Sequence, residues 1–202
     1  IITNLQDFYG TAVAEATLAG ILAFYRQLPL LLVAQHERRW IKHQIEGVNA
    51  IRQLTGARII ILGAGAIGRK IGALLAPFHG EIRFFARTAP VATLHTVAEL
   101  DAALPNTDVV INTLPHTPET IGLIGSDRLS HFHPGALLVN MGRGSVLDES
   151  ALVAALNAGR LGGAVLDVTR TEPLPADSPL WTHPRILLTQ HTGLRFPWET
   201  AL

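Results

Sequence analysis

A doubly wound, parallel α/β sheet is the fold this sequence predicts, and three observations carry the prediction. Short apolar runs alternate with segments of helical spacing through most of the chain, the pattern of parallel strands joined by crossover helices. One run, Ile59-Ile60-Ile61-Leu62, flows directly into Gly63-Ala64-Gly65-Ala66-Ile67-Gly68, after which Ile67, Ile71, Leu74 and Leu75 recur at helical spacing. With 202 residues, 48% of them hydrophobic, the chain can bury a sizeable core.

In chain order, the first expected element is a helix over 11–27. It is apolar nearly all round, with a small-residue row at Ala12, Ala16, Ala19 and Ala23, so it should be buried against another helix or a second subunit. Pro29 is expected to end it. Residues 30–55 read as a further helical stretch and a linking loop, with Trp40 as an anchor. Strands are predicted at 58–62, 82–86, 108–112, 136–140, 163–167 and 186–189. Helices are predicted near 66–78, 96–104, 119–130 and 148–158, the last opened by Asp148 as N-cap and closed by Gly159.

The glycine pattern at the end of the 58–62 strand has the form of a Rossmann dinucleotide site. Gly63 permits the tight turn, Gly65 lets a pyrophosphate approach bare backbone, and Gly68 lets the helix pack closely on the strand. The phosphates then face the free N–H groups and positive end of that helix. Eighteen residues after Gly68, the next strand ends at Ala86, where an NAD-selective site places a carboxylate on the ribose 2′-hydroxyl. Arg87 and Thr88 follow instead, and a guanidinium beside a hydroxyl suits a 2′-phosphate. NADP(H) is therefore the expected cofactor, with NAD(H) the other candidate.

Composition excludes several other classes. The formal net charge is zero and there is no basic run, which argues against nucleic acid or an anionic membrane as partner. The longest apolar stretch, 18–33, is interrupted by Arg26, Gln27 and Pro29 and does not read as a membrane span. Without cysteine there is no disulfide framework or thiolate metal site, and no metal is expected. No secretory signal is visible, and a cytoplasmic location is the expectation. The chain opens at Ile1 without an initiator Met, and a helix is expected to begin near Pro197, shortly before Leu202, so a fragment of a longer protein is expected.

Seven segments together resemble the D-isomer-specific 2-hydroxyacid dehydrogenases, which include phosphoglycerate dehydrogenase and the glyoxylate/hydroxypyruvate reductases. They are Ala12-Val13-Ala14-Glu15, the 63–68 loop, Asn112 to Thr120, Leu138 to Gly144, Ala164 to Val168, Glu172-Pro173-Leu174-Pro175 and Thr189-Gln190-His191. The resemblance covers essentially the whole chain. It implies a nucleotide-binding domain over 11–190, a hinge over 1–10 from an N-terminal substrate-binding domain, and a hinge with the start of a return helix over 191–202. Most of that flanking substrate domain is absent from this chain. With these residues alone the substrate pocket would be half built and activity very weak.

Hydride transfer between a nicotinamide and a 2-oxo acid needs a cation for the substrate carboxylate and a group that exchanges the hydroxyl proton. Arg143, just past a strand end, suits the first role. His191 is identified by the resemblance as the acid/base, and Glu172 as the carboxylate that orients its imidazole and favours the charged form. The resemblance places Asp167 near the nicotinamide and Leu114 and Pro115 near the adenosine. It extends the cofactor contacts to Ala66, Ile67, Thr120, Met141, Gly142, Arg143, His191 and Gly193. Gln190 departs from the family, which usually has Pro before the catalytic His, and implies a less rigid loop. A formate dehydrogenase is disfavoured, because that related enzyme carries Gln where Glu172 stands. Two readings follow: a reductase of glyoxylate, hydroxypyruvate or a similar small acid, dimeric through the 11–27 helix, and a nucleotide-sensing dimerisation or corepressor-like module on the same domain.

Overall fold

The structure, a computed structural model, describes residues 10–45 and 51–193. Six parallel strands form one sheet: β1 (Arg58–Leu62), β2 (Glu81–Phe85), β3 (Val109–Asn112), β4 (Leu137–Asn140), β5 (Gly163–Leu166) and β6 (Ile186–Leu188). Their order is β2-β1-β3-β4-β5-β6. The chain steps outward from β1 to β2 and then crosses back to β3, so a crevice opens at the carboxyl ends of β1 and β3, where such sheets bind ligands. All six strands lie within two residues of their predicted ends.

Strand alternation divides the core into two layers. Ile59, Ile61, Val109, Ile111, Leu137, Val139 and Val165 point to the face covered by α1 (Gly10–Tyr25) and α3 (Ala66–Leu75), which contribute Val13, Ile21, Ile71 and Leu75. Ile60, Leu62, Val110, Leu138 and Leu166 point to the opposite face, covered by α4 (Val97–Ala103), α5 (Ser126–Ser130) and α6 (Glu149–Asn157). Burial on both faces is why these strands read as unbroken apolar runs. At α6 the expected caps are present: Asp148 accepts the Ala151 N–H at 3.0 Å, and Gly159 takes φ +70°.

Three local expectations are corrected. Pro29 does not follow a single long helix: α1 stops at Tyr25, Gln27 turns the chain at φ 57°, and Pro29 sits in the first turn of α2 (Leu28–His36), bent 64° from α1. A proline is tolerated there because a first-turn N–H has no intrahelical acceptor. Trp40 is no anchor among the described residues, being 89% exposed. The helix expected over 119–130 shrinks to α5, because Gly122 and Ile124 donate their N–H groups to Ser145 and Val146 at 2.9 Å and Asp148 donates back to Ile124. That bridge withdraws the backbone donors a longer helix needs.

The apolar surface expected on α1 is largely covered within the chain by α3 and the sheet. The exposed apolar residues instead cluster on α2, where Leu32 is 63% exposed and Leu28, Leu30 and Val33 also face outward. Among the described residues no single helix is long and apolar enough to cross a membrane. The hinge segments expected over 1–10 and 191–202 lie outside the described residues, apart from Gly10, the first residue of α1, and 191–193.

Candidate active site

Backbone builds the half of the crevice between β1 and β3. Gly63 leaves β1 at φ +103°, and Thr113 braces the turn by donating its N–H and its hydroxyl to Leu62 O, both at 2.9 Å. A Cβ on Gly68 would lie 2.1 Å from Gly63 O, so the first turn of α3 rests on the loop at a distance only glycine allows. Gly65 is the N-cap of α3 with no side-chain cap, and a Cβ built on it meets nothing within 4 Å. Uncapped first-turn N–H groups therefore face open space at the mouth of the crevice, with Ala66 and Ile67 half-buried beside them. A pyrophosphate fits this arrangement, since it supplies the acceptors that the chain withholds.

At the rim, Ala86 follows β2 and the Arg87 and Thr88 side chains are exposed. The return segment continues the sheet edge: Leu94 donates to Phe84 O at 3.1 Å, and Ala86 donates to Leu94 O at 3.0 Å. The His95 imidazole takes the next rung, its Nδ1 lying 2.9 Å from Ala86 O. Across the crevice, Leu114 donates its N–H to Asn112 Oδ1 at 3.1 Å. Thr120 uses its hydroxyl to hold the loop, donating to Pro115 O at 2.6 Å and accepting the Thr117 N–H at 2.9 Å. On the same loop the Glu119 carboxyl is held below its ordinary value by the Thr117 hydroxyl first, then by a backbone N–H and the charge of Arg87.

The other half is built from side chains brought together from β4, β5 and the loops beyond them. Two buried amides set its floor: Asn112 Nδ2 donates to Asn140 Oδ1 at 2.8 Å, and that oxygen also accepts the Gly142 N–H at 3.2 Å. Asn140 Nδ2 reaches Arg143 O at 3.3 Å, so the pair fixes the turn that carries the arginine. Met141 and Gly142 are buried in this turn, whereas the Arg143 side chain is exposed, with Nη1 donating to Gly142 O at 2.7 Å.

Asp167, only 5% exposed, holds the loop after β6. Its carboxylate accepts the Thr189 hydroxyl at 2.6 Å and the N–H groups of Thr192 and Gly193 at 3.1 and 3.4 Å, while its carbonyl accepts the His191 N–H at 2.5 Å. Gln190 and His191 both have φ 55°. Proline locks φ near −65°, so the residue usual in the family at 190 does not suit this backbone, and Asp167 supplies the restraint that Gln190 does not.

His191 Nδ1 lies 2.6 Å from Glu172 Oε2, and Glu172 Oε1 accepts the Thr169 N–H at 3.0 Å. Burial pushes the Glu172 carboxyl up. The hydrogen bonds from His191 and Thr169, with the charges of His191 and Arg143, outweigh it and leave the carboxyl below its ordinary value. With Nδ1 committed to the carboxylate, Nε2 is the ring atom left to exchange a proton. A cavity of about 410 Å³ adjoins the pair, walled by Leu166, Leu174, Trp181 and Leu188. All of these groups lie past the carboxyl ends of the strands, Arg143, Asp167, Glu172 and His191 beyond β4, β5 and β6, and Gly63, Gly65, Gly68 and the 86–88 rim beyond β1 and β2.

Sequence reasoning did not single out Asn112, Asn140, Thr113 or Thr189 as positioning groups. An asparagine closing each of two wholly apolar strands was a readable signal for the first two; the threonines left none. Among the described residues no group of three or more His, Asp or Glu side chains could hold a metal ion.

Known proteins resemble this chain in sequence and in fold. The family model for the NAD binding domain of D-isomer specific 2-hydroxyacid dehydrogenases matches residues 18–193. Glyoxylate/hydroxypyruvate reductase A of Escherichia fergusonii is 37% identical over 188 residues, covering 91% of this chain and 58% of the relative. The chain thus spans a little over half the length of the curated relatives it matches. Among solved structures, a D-isomer specific 2-hydroxyacid dehydrogenase from Xanthobacter autotrophicus in complex with NADPH and MES superposes with TM-score 0.84 at 35% identity, covering 99% of this chain and 82% of that one. The apo NADPH-dependent glyoxylate/hydroxypyruvate reductase from Sinorhizobium meliloti gives 0.83 at 25% identity, covering 98% and 100%.

Proposed function

Because the chain belongs to the D-isomer specific 2-hydroxyacid dehydrogenases, we propose that it provides the nucleotide site and the proton-transfer and carboxylate-binding groups of a cytoplasmic NAD(P)-dependent reductase of glyoxylate, hydroxypyruvate or a similar small 2-oxo acid. The observation that carries this reading is the 2.6 Å contact of His191 Nδ1 with Glu172 Oε2, set beside Arg143 at the carboxyl edge of the sheet. A nicotinamide bound there supplies the hydride. His191 delivers the proton to the substrate oxygen from Nε2, and Glu172 fixes the orientation of the ring through Nδ1. Arg143 binds the substrate carboxylate through the donors its guanidinium still presents to the crevice.

The 63–68 loop and the uncapped start of α3 hold the pyrophosphate, and Met141, Gly142, Asp167 and Gly193 line the nicotinamide end. Leu114, Pro115 and Thr120 border the adenosine. Ala86, Arg87 and Thr88 favour NADP(H) over NAD(H), a preference supported by the NADPH found in the Xanthobacter neighbour. We assign residues 11–190 to the nucleotide domain and 1–10 and 191–202 to hinges leading to a substrate domain. The protein is proposed to dimerise through the 11–27 helix, and the exposed apolar side chains that support a contact in this region lie on the adjoining α2. No observation among the described residues favours the nucleotide-sensing alternative.

Steady-state oxidation of NADPH by glyoxylate and by hydroxypyruvate tests the reading in the complete protein. Turnover with either acid, faster with NADPH than with NADH, is expected. Tight nucleotide binding without turnover of any small 2-oxo acid would favour the sensing module instead.

A further inference from the structure

The sheet edge beside Arg87 holds a group that the reductase reading does not use. Beyond β2, the return segment forms a parallel ladder with the end of the strand, through Leu94 to Phe84 O and Ala86 to Leu94 O. A regular ladder would next offer a backbone N–H to Ala86 O. The His95 ring stands there instead, with Nδ1 at 2.9 Å. A carbonyl only accepts, so Nδ1 carries the hydrogen and Nε2 is the atom whose protonation varies.

Ala86 occupies the position from which this fold addresses the ribose 2′ group, and Arg87 follows it. We propose that His95 is a second specificity-determining residue of the nucleotide site, donating from Nε2 to the 2′-phosphate of NADP(H) when protonated and accepting from the 2′-hydroxyl of NAD(H) when neutral. This rests on the NADP(H) preference proposed above. Imidazole changes charge between about pH 5 and 8, so preference for the phosphorylated cofactor strengthens as pH falls through that window.

One charged group stands on the element that follows the ring. From α4, Glu99 Oε2 accepts the N–H groups of His95 and Thr96 at 2.6 and 2.9 Å. Those bonds hold the Glu99 carboxyl below its ordinary value, so it stays anionic across the window. Arg87 lies exposed on the loop leaving β2. A 2′-phosphate would bring to this rim an anion for both side chains, and a 2′-hydroxyl would bring none.

The test compares wild type with His95→Asn, whose side-chain amide keeps a donor for Ala86 O but cannot titrate. NADPH and NADH are titrated by nicotinamide fluorescence between pH 5.5 and 8.5, with Arg87→Ala as a second variant. The phosphate's own ionisation, near pH 6, is the same for the free cofactor in both titrations and enters the ratio only through its contact with His95. The ratio of wild-type to His95→Asn affinity for NADPH is expected to grow about fivefold from the alkaline to the acid limit, as Nε2 gains the hydrogen that makes a charge-assisted bond to the phosphate. The same ratio for NADH should not rise toward acid pH, because protonation removes the acceptor that the 2′-hydroxyl uses. If wild type prefers NADPH and loses that preference in Arg87→Ala, while the His95→Asn ratio is flat with pH, the role of His95 is overturned and the cofactor reading stands. If wild type binds both nucleotides equally at every pH and Arg87→Ala changes neither, both fall.

Discussion

The two halves of the crevice are made of different material. Between β1 and β3 the surface is backbone: a positive-φ glycine, a glycine in contact with a carbonyl, and a helix start with no side-chain cap. Beyond β4 it is side chains from segments far apart in sequence, with Arg143, Glu172 and His191 held by Asn140, Asp167 and Thr169. A backbone site fails when a methyl group is added. A side-chain site fails when one is truncated, and it responds to pH.

The largest effect belongs to the side-chain half. On the proposed mechanism, His191→Ala in the complete protein takes away the proton donor but leaves the carboxylate clamp, so turnover is expected to fall by about 10² to 10⁴ with modest change in KM. Arg143→Ala loosens ground state and transition state together, and is expected to raise KM steeply while also slowing turnover. Steady-state reduction of glyoxylate and hydroxypyruvate separates the two. Near-wild-type turnover in His191→Ala would remove the histidine from the proton-transfer step and erase the contrast between the halves.

Within the backbone half, two neighbouring glycines should behave oppositely. Gly68→Ala forces a methyl to 2.1 Å from Gly63 O, a backbone atom that cannot swing away, and is expected to cost about 3 kcal/mol in urea unfolding. Gly65→Ala meets nothing within 4 Å in the chain, so stability should stay within about 0.5 kcal/mol. Its nucleotide affinity should nevertheless drop tenfold or more, about 1.4 kcal/mol, because the methyl occupies the approach of the pyrophosphate. Equal unfolding losses in both variants would show that Gly65 answers to the fold rather than to the ligand.

The same division explains what was legible beforehand. The glycine loop, the strands and the caps of α6 are contiguous in sequence, so spacing and residue type revealed them. Arg143, Glu172 and His191 are separated by 28 and 18 intervening residues, and nothing in periodicity joins them; only the resemblance to a known family did. Pro29 misled because a proline that ends one helix equally well begins another. The truncated helix at α5 misled because its N–H groups are taken by Ser145 and Val146, partners invisible to local propensity. Trp40 misled because a large aromatic signals burial only when something covers it.

At the rim the halves meet through Arg87, a side chain on the backbone-built side. NADPH is expected to bind at least tenfold more tightly than NADH, a preference of about 1.4 kcal/mol, and Arg87→Ala to abolish it. Fluorescence titration decides. Tighter NADH binding by wild type would mean that the 86–88 rim does not read the 2′ group, leaving the backbone half indifferent to which dinucleotide it holds.

The smallest effect should come from Glu172→Gln. Its folded carboxyl titrates below the ordinary value, because the bonds from His191 and Thr169 outweigh burial. A depressed carboxyl stabilises the fold above its unfolded pKa, and that contribution disappears as pH falls through the folded value, where the group is protonated in both states. Both partners are 38% exposed, so solvent screens the pair and the loss in Glu172→Gln should stay under about 1 kcal/mol at pH 6.5. At a second, acid pH below the lowered folded value the variant and wild type should converge, since a protonated carboxyl and an amide then face His191 alike. Urea unfolding at the two pH values measures the difference. A deficit of equal size at both would mean that Glu172 supports the loop by shape rather than by charge, and that the side-chain half is less dependent on ionisation than its geometry implies.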